Sequence, residues 1–404
     1  MEEWKEYQLK DVTTILGDGL HGTPEYDDNG TVFFINGNNL VNGKIEIKDS
    51  TKRVSKDEAN KYKKNLTERT ILVSINGTIG NVAKYKGEAC ILGKSACYFN
   101  VADNFDLNFI YYVVASQQFK DSMTRLATGT TIKNVSLETM RNYSFPAPSI
   151  NEQKRISAVL SSLDSKIELN RRINDNLEQQ AQALFKSWFV EKPNPQWTKG
   201  SLSDIASFVG GYSYKGDELV DSSNTGMATI KNYNRSGGFK TDGFKAINPS
   251  DKVKNAQYAE LFEILVAHTD LTQNAEVIGN AELVLSLGEY NKIIFSMDLV
   301  KVLPSSSFPY RFLIAAMLKN KLFKGHCQGY VNGTTVLHLN KKALPEYKVM
   351  IPTDTEAKKM NEILGGYYKR MSENLKESDM LEQLRDTILP KLMSGELKIN
   401  DLNC

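Results

Sequence analysis

The sequence predicts an α+β chain in which two mixed α/β bodies alternate with two long helices that pair as an antiparallel coiled coil. Three observations carry that prediction: an internal repeat, a helix-start signal heading each repeated tail, and an apolar stripe with coiled-coil spacing through both tails. The repeat comes first. Gly129-Thr130-Thr131 returns as Gly333-Thr334-Thr335, a shift of 204 residues. The same shift carries Pro148 onto Pro352, Glu152 onto Glu356, Lys154 onto Lys358, Leu160 onto Leu364, and Leu177-Glu178-Gln179 onto Leu381-Glu382-Gln383. The starts of the halves match at a shift of 193, with Trp4 on Trp197, Leu9 on Leu202 and Asp11 on Asp204. Each half therefore has a diverged body and a shared tail. The bodies are 1–148 and 194–352, and the tails are 149–193 and 353–404.

The tails read as helices. Ser149-Ile150-Asn151-Glu152 and Thr353-Asp354-Thr355-Glu356 fit the capping box, in which a hydroxyl and a carboxylate three residues on satisfy free backbone donors. Pro148 and Pro352 stand just before these caps, where the chain is not yet helical. A stripe spaced four and three runs through Ile156, Leu160, Leu163, Ile167, Leu177, Ala181, Leu184 and Trp188. Its counterpart is Met360, Leu364, Tyr367, Met371, Leu381, Arg385, Ile388 and Leu392. Each helix should run for roughly 35–40 residues, about 55 Å long. Asn170 and Asn174 interrupt the first stripe near its middle, and Asn374 and Ser378 interrupt the second. In an antiparallel pair, middle meets middle, so these positions either form a buried polar layer or turn to solvent while Ile173 or Leu375 fills the seam. Pro390 should kink or end the second helix, and Ser394-Gly395 should close it.

The bodies show short β-rich runs at Val32–Ile35, Ile71–Ile75 and Ile293–Phe295, separated by Gly, Asn and Asp turns. Apolar spacing predicts helices over Asn108–Leu126 and Tyr310–Phe323. Each body then closes with the Gly-Thr-Thr turn, a short helix (Ser136–Arg141, Asn340–Leu344) and a last strand into the proline.

Composition narrows the function. With 404 residues, 41% hydrophobic and 24% charged, the chain is globular and holds two or three domains. It has no apolar run near the ~18–20 residues of a membrane span, and Met1-Glu2-Glu3-Trp4-Lys5 has no apolar signal core, so a cytoplasmic location is expected. Cys90, Cys97, Cys327 and Cys404 are scattered and read as reduced thiols. His21, His268, His326 and His338 lie too far apart in sequence to suggest a metal site. There is no Walker A motif, no G-x-S-x-G and no clear nuclease carboxylate–lysine pattern. Asn194-Pro195-Gln196-Trp197 only superficially resembles a methyltransferase signature and reads as linker. A non-catalytic binding protein is therefore expected. The net charge of +2 keeps open a second class, a coiled-coil scaffold that does not touch DNA.

The order of parts resembles a known family. A diverged body, a capped helix opening near Glu152-Gln153-Lys154-Arg155-Ile156, a second body and a second such helix look like the specificity subunit of type I restriction–modification systems. The ending Ile388-Leu389-Pro390-Lys391-Leu392-Met393-Ser394-Gly395-Glu396-Leu397 is similar to that family's C-terminal signature. Asp18-Gly19-Leu20-His21-Gly22-Thr23-Pro24, Ile75-Asn76-Gly77-Thr78-Ile79-Gly80-Asn81 and Gly211-Tyr212-Ser213-Tyr214-Lys215-Gly216 resemble loops of its target-recognition domains. The resemblance implies that each body reads one half of a split double-stranded DNA site. It also implies that the helices hold the spacing and dock two modification subunits. No cofactor is expected in this chain. S-adenosylmethionine would belong to the modification subunits, which methylate adenine, and ATP and Mg to separate restriction subunits.

Within that frame, loops rich in Lys, Arg, Asn, Thr and Tyr are the DNA candidates, because such groups hold phosphates or read base edges. In the first body these are His21, Thr23, Asn36, Asn38, Asn39, Asn76, Thr78, Thr130, Lys133 and Asn134. In the second they are Tyr212, Tyr214, Lys215, Lys231, Asn232, Arg235, Thr269, Asn274, Thr334, Thr335 and His338. The shared Gly-Thr-Thr turns favour phosphate-holding or structural work over base reading. For docking, the candidates are Leu160, Ile167, Leu177, Leu184, Trp188 and Phe189 on the first helix, and Leu364, Met371, Leu381 and Ile388 on the second.

Overall fold

The structure, a computed structural model, describes residues 4–130, 132–235 and 237–399; Met1-Glu2-Glu3, Thr131 of the first Gly-Thr-Thr turn and Cys404 lie outside the described residues. The chain divides into two compact units, Met1–Ser165 with Leu381–Cys404, and Lys166–Met380. Each unit thus holds one body and a stretch of both long helices.

In the first unit a four-stranded antiparallel sheet runs in the order Thr13–Asp18, Ala96–Val101, Thr70–Ser74, Val82–Lys84. Every residue of Thr70–Ser74 is buried because both sheet faces are covered. Ile71 and Val73 point into one core with Cys97 and Phe99, while Leu72 joins Ala96 and Tyr98 in another, the alternation a strand imposes. Val32–Ile35 lies parallel to Cys90–Leu92. Lys5–Gln8 pairs with Ser144–Ala147, the strand that leads into the first long helix.

The second unit repeats this plan. Its sheet runs Ala206–Gly210, Leu299–Pro304, Ile264–Ala267, Ala281–Leu283. Thr225–Ala228 lies parallel to Lys292–Phe295, and Thr198–Ser201 pairs with Lys348–Ile351. Each expected body helix is instead two. Leu107–Ala115 and Gln117–Leu126 are separated by Ser116, which is extended and whose hydroxyl accepts from Phe119 N at 3.2 Å. Arg311–Leu318 and Lys321–Gln328 are separated around Asn320, whose side chain accepts from Leu322 N at 2.8 Å and Phe323 N at 3.1 Å. A polar cap inside an apolar stretch restarts the helix and turns Phe119 or Phe323 into the core.

The long helices span Ile150–Lys186 (37 residues), extended by a π turn at Ser187–Glu191, and Asp354–Met393 (40 residues). Thr353 Oγ1 and N both donate to Glu356, at 2.6 and 3.3 Å. The same carboxylate accepts from Asn194 Nδ2 at 3.0 Å and Trp197 Nε1 at 2.9 Å, so the linker is latched to the helix start. Of the two outcomes expected at Pro390, a kink or an end, the helix does not end there but runs on to Met393. Pro390 and Asp386 are both exposed, and the proline gives the Asp386 carbonyl no backbone donor. Gly395, with φ of +74°, then closes the helix.

Contacts between the helices are antiparallel in both units. In the first unit Asp164 meets Arg385 at 2.9 Å and accepts from Tyr112 Oη at 2.6 Å. In the second the polar layer is buried rather than turned to solvent. Asn170 and Asn374 are 0% and 1% exposed. Asn170 Nδ2 donates to Glu377 at 2.9 Å, Asn374 Nδ2 to Asn174 at 2.8 Å, and Asn174 Nδ2 to Met371 O at 3.1 Å. The apolar stripe is displaced in places. Phe185 is buried where Leu184 is half-buried, and Tyr368 where Tyr367 is half-buried, since real helices drift against a 3.5-residue repeat.

Cys97 and Cys327 are buried and Cys90 half-buried, all three free thiols. Burial pushes the Cys90 and Cys327 thiols up to about 12. Among the described residues no cluster could hold a metal ion, and no helix is long and apolar enough to cross a membrane.

A buried cation ties the second body to the first long helix. Lys319 Nζ lies 3.2 Å from Glu178 and contacts Glu282, whose other oxygen accepts from Gly238 N at 2.6 Å. Burial alone would push the ammonium down, but Glu178 and Glu282 hold it well above its ordinary value. Lys319→Ala strands two carboxylates, so we expect a loss of about 3–5 kcal/mol in denaturant unfolding of this unit; unchanged unfolding would refute the assigned role.

Candidate nucleic-acid interface

In each unit the candidate loops converge on one tight turn. In the first body this is Gly93-Lys94-Ser95, between Cys90–Leu92 and Ala96–Val101. Leu20 N donates to Leu92 O at 2.7 Å, Gly93 N to Ile35 O at 2.8 Å, Ala96 N to Gly93 O at 3.0 Å, and Ile75 N to Ser95 O at 3.0 Å. The segments Asp18–Thr23, Asn36–Asn39 and Asn76–Thr78 therefore leave from one place. Val135 N donates to Ile75 O at 2.9 Å, and Asn134 bridges both Asn76 and Thr128, which brings in the Gly-Thr-Thr turn.

The second body repeats these bonds. Tyr212 N donates to Phe295 O at 2.7 Å, Ser296 N to Ala228 O at 2.9 Å, Leu299 N to Ser296 O at 2.9 Å, and His268 N to Asp298 O at 2.7 Å. His338 pairs with Thr269 and Asn332 as Asn134 does with Asn76 and Thr128. Gln273 Nε2 donates to Thr334 O at 2.6 Å, and Arg235 meets Glu276 at 3.1 Å, so the remaining candidate loops join the same edge. Burial is the first cause holding His268 below its ordinary value, with His338 and Lys341 adding to it and Asp298 opposing.

The candidates separate by exposure. His21, Thr23, Asn38, Thr78, Thr130, Lys133 and Asn134 are exposed in the first body. Lys215, Lys231, Arg235, Asn274, Thr334, Thr335 and His338 are exposed in the second. Asn36, Asn76 and Tyr214 are half-buried, and His21 is held by Asp18 at 2.6 Å.

Four candidates are committed to the fold instead. Asn39 accepts from Asn36 N and donates to Glu46 O, and Asn232 accepts from Thr229 N and donates to Lys240 O. They are counterparts at the 193 shift, each locking a 3₁₀ turn. Tyr212 donates to Glu218 at 2.6 Å, and this bond, with the amides of Lys215 and Ser250, holds that carboxylate at about 2. Thr269 Oγ1 donates to Asp298 at 2.9 Å.

Sequence reading missed other residues. A groove of about 610 Å³ joins Thr78 and Lys133 to Asn81, Lys120 and Thr124. A smaller one of about 110 Å³ joins Asn36 and Asn38 to Lys48 and Lys52. Lys120 and Thr124 lie four residues apart on the helix Gln117–Leu126 and belong to no motif. A polar residue on an amphipathic helix looks like any solvated side chain until the fold places it beside a loop.

The docking candidates are mostly inward. Leu160, Leu364, Met371 and Ile388 are buried, and Ile167, Leu177, Leu184, Leu381, Trp188 and Phe189 are half-buried. Phe189 stacks on Phe185 with ring centroids 5.0 Å apart, and both Trp188 and Phe189 pack against the core of the second unit. The exposed apolar residues of the helices include Leu169, Ile363, Met380 and Leu384, all off the stripe.

Known proteins resemble this chain in sequence and in fold. The pattern of the family described as "Type I restriction modification DNA specificity domain" matches residues 1–179 and again 194–383. The type I restriction enzyme MjaIX specificity subunit of Methanocaldococcus jannaschii is 23% identical over 99% of this chain and 95% of its own length. A putative type I specificity subunit of Mycoplasma pneumoniae is 31% identical over 39% of this chain and 45% of its own. The crystal structure of a type I restriction–modification S subunit from M. genitalium shares the fold, with a TM-score of 0.55 at 22% identity, covering 97% of this chain and 96% of that one.

The Gly-Thr-Thr turns depend on their glycines. Gly129 and Gly333 have φ of +108° and +111°, and a Cβ there would sit 2.4 Å from Ile132 O or 2.3 Å from Val336 O. Gly129→Ala should destabilise its turn by about 1 kcal/mol or more. The amide of Asn134, which donates to Thr128 O at 2.7 Å, should then exchange faster with solvent; unchanged exchange would contradict the strain.

Proposed function

This chain belongs to the family of type I restriction–modification DNA specificity subunits, and we propose that each of its two bodies reads one half of a split DNA site through the edge described above. Specificity subunits of this family are not themselves catalysts. The division of labour we assign is residues 1–148 and 194–352 as the two readers, and 149–193 and 353–404 as the helices that join them and carry the partner subunits. The partners are double-stranded DNA, modification subunits that bring S-adenosylmethionine, and restriction subunits that bring ATP and Mg. Lysines on the edge, Lys120 and Lys133 among them, hold phosphates, and exposed Asn, Thr and His side chains are placed to meet base edges.

One observation carries this reading. The same backbone bonds recur in both bodies, yet the side chains they present differ. A duplicated framework with unlike surfaces suits a target with unlike halves.

Two measurements test it. Replacing 1–148 by the first body of another family member should change one half of the methylated consensus and leave the other intact; a change in both halves would refute independent reading. For docking, Met380 and Leu384 stand four residues apart on one helix and both are exposed, so they share a face. Met380→Glu with Leu384→Glu should abolish assembly with the modification subunit by light scattering while leaving the melting temperature of the free chain unchanged. A complex of unaltered mass would remove this face from the docking site.

A further inference from the structure

The turn at the centre of each edge carries no sequence signal. It is Gly93-Lys94-Ser95 in the first body and Ser296-Met297-Asp298 in the second, related by a shift of 203. Four backbone bonds around it recur pair by pair. The outer residues of each turn are consumed by the fold. A Cβ on Gly93 would meet Asn36 Oδ1 at 2.3 Å. Ser95 Oγ donates to Asn36 Oδ1 at 2.8 Å and accepts from Gly37 N at 2.9 Å. Ser296 Oγ donates to Asp298 at 3.2 Å, and Asp298 also accepts from Thr269 Oγ1. Only the middle side chain is left to leave the surface. Lys94 is exposed, and Met297 is 57% exposed.

We propose that this middle residue reads a base in each body, Lys94 in the first half-site and Met297 in the second. The proposal rests on the reading that these edges face DNA. The framework argues for base reading over phosphate holding. A phosphate anchor needs a donor or a positive charge wherever it is used. Here the same four backbone bonds carry a cation in one body and a thioether in the other. The ammonium of Lys94 suits the paired O6 and N7 acceptors of guanine in the major groove, whereas Met297, with no donor, suits the methyl group of thymine. The turn is bonded to three neighbouring segments, so its tip is held in place, as discrimination between base edges requires.

The test uses the full chain assembled with its modification subunits and maps the methylated sites on a random duplex library. Wild type, Lys94→Ala, Met297→Lys and Lys86→Ala are compared; Lys86 is exposed in a different turn of the first body. Lys94→Ala should relax one position of one half-site about tenfold or more and leave the other half unchanged. Met297→Lys should alter one position of the other half, and Lys86→Ala should alter neither. The proposal is overturned if Lys94→Ala lowers methylation equally at all sites with the consensus intact, which marks a phosphate contact, or if both turn variants keep the wild-type consensus. A wild-type complex without a split consensus would overturn the underlying reading and this one with it.

Discussion

Two amides buried in the helix seam, Asn170 and Asn374, constrain much of what surrounds them. Each is almost fully enclosed, and each places its Nδ2 on a partner of the facing helix while its own Oδ1 is left without a hydrogen bond, so the layer costs stability. The partners exist in one register, where Asn170 reaches Glu377 and Asn374 reaches Asn174. Sliding one helix by a turn would part Asn170 from Glu377 and Asn374 from Asn174. A polar layer of this kind sacrifices some stability and selects one alignment in return. In the first unit, Asp164 and Arg385 apply the same kind of constraint with charge, and Tyr112 ties that pair to its body.

The repeat has been preserved unevenly. Positions that close the backbone have kept their work through divergence: the glycines of the Gly-Thr-Thr turns, the asparagines that lock the 3₁₀ turns, and the carbonyls that receive the loop amides. Other side chains on the exposed edge have changed, the shared threonines Thr130 and Thr334 aside. Asn134 corresponds to His338 in the repeat, and Lys94 to Met297. Turn-closing groups cannot change without disturbing neighbours, because buried backbone donors and acceptors must be paired. Exposed tips carry no such obligation and are free to vary.

Charge is also distributed unequally between the units. The second body buries Lys319 between two carboxylates, an arrangement in which each member is harmful without the others. The first body has a half-buried cation instead, Lys84, which donates to Asn108 and sits 4.5 Å from the Tyr111 ring; burial holds it below its ordinary value. The same fold is thus sustained by different local chemistry.

Much of the architecture is legible in the residues alone. The repeat, the capping boxes, the four-and-three stripe and its polar interruption are local patterns, set by helix period and by the needs of free backbone donors. They locate both helices and their central polar layer. They cannot say whether that layer is buried, because burial depends on a facing helix some 200 residues away. The break at Ser116 escapes a reading by periodicity because apolar spacing continues across it. Asn39 and Asn38 are neighbours of the same type, yet one is locked inside a turn and the other exposed. Lys94 has no motif to distinguish it from any surface lysine. Local sequence determines which elements form, since their hydrogen bonds close within a few residues; only tertiary structure decides which polar groups are spent on the fold and which remain exposed, since their partners come from distant parts of the chain.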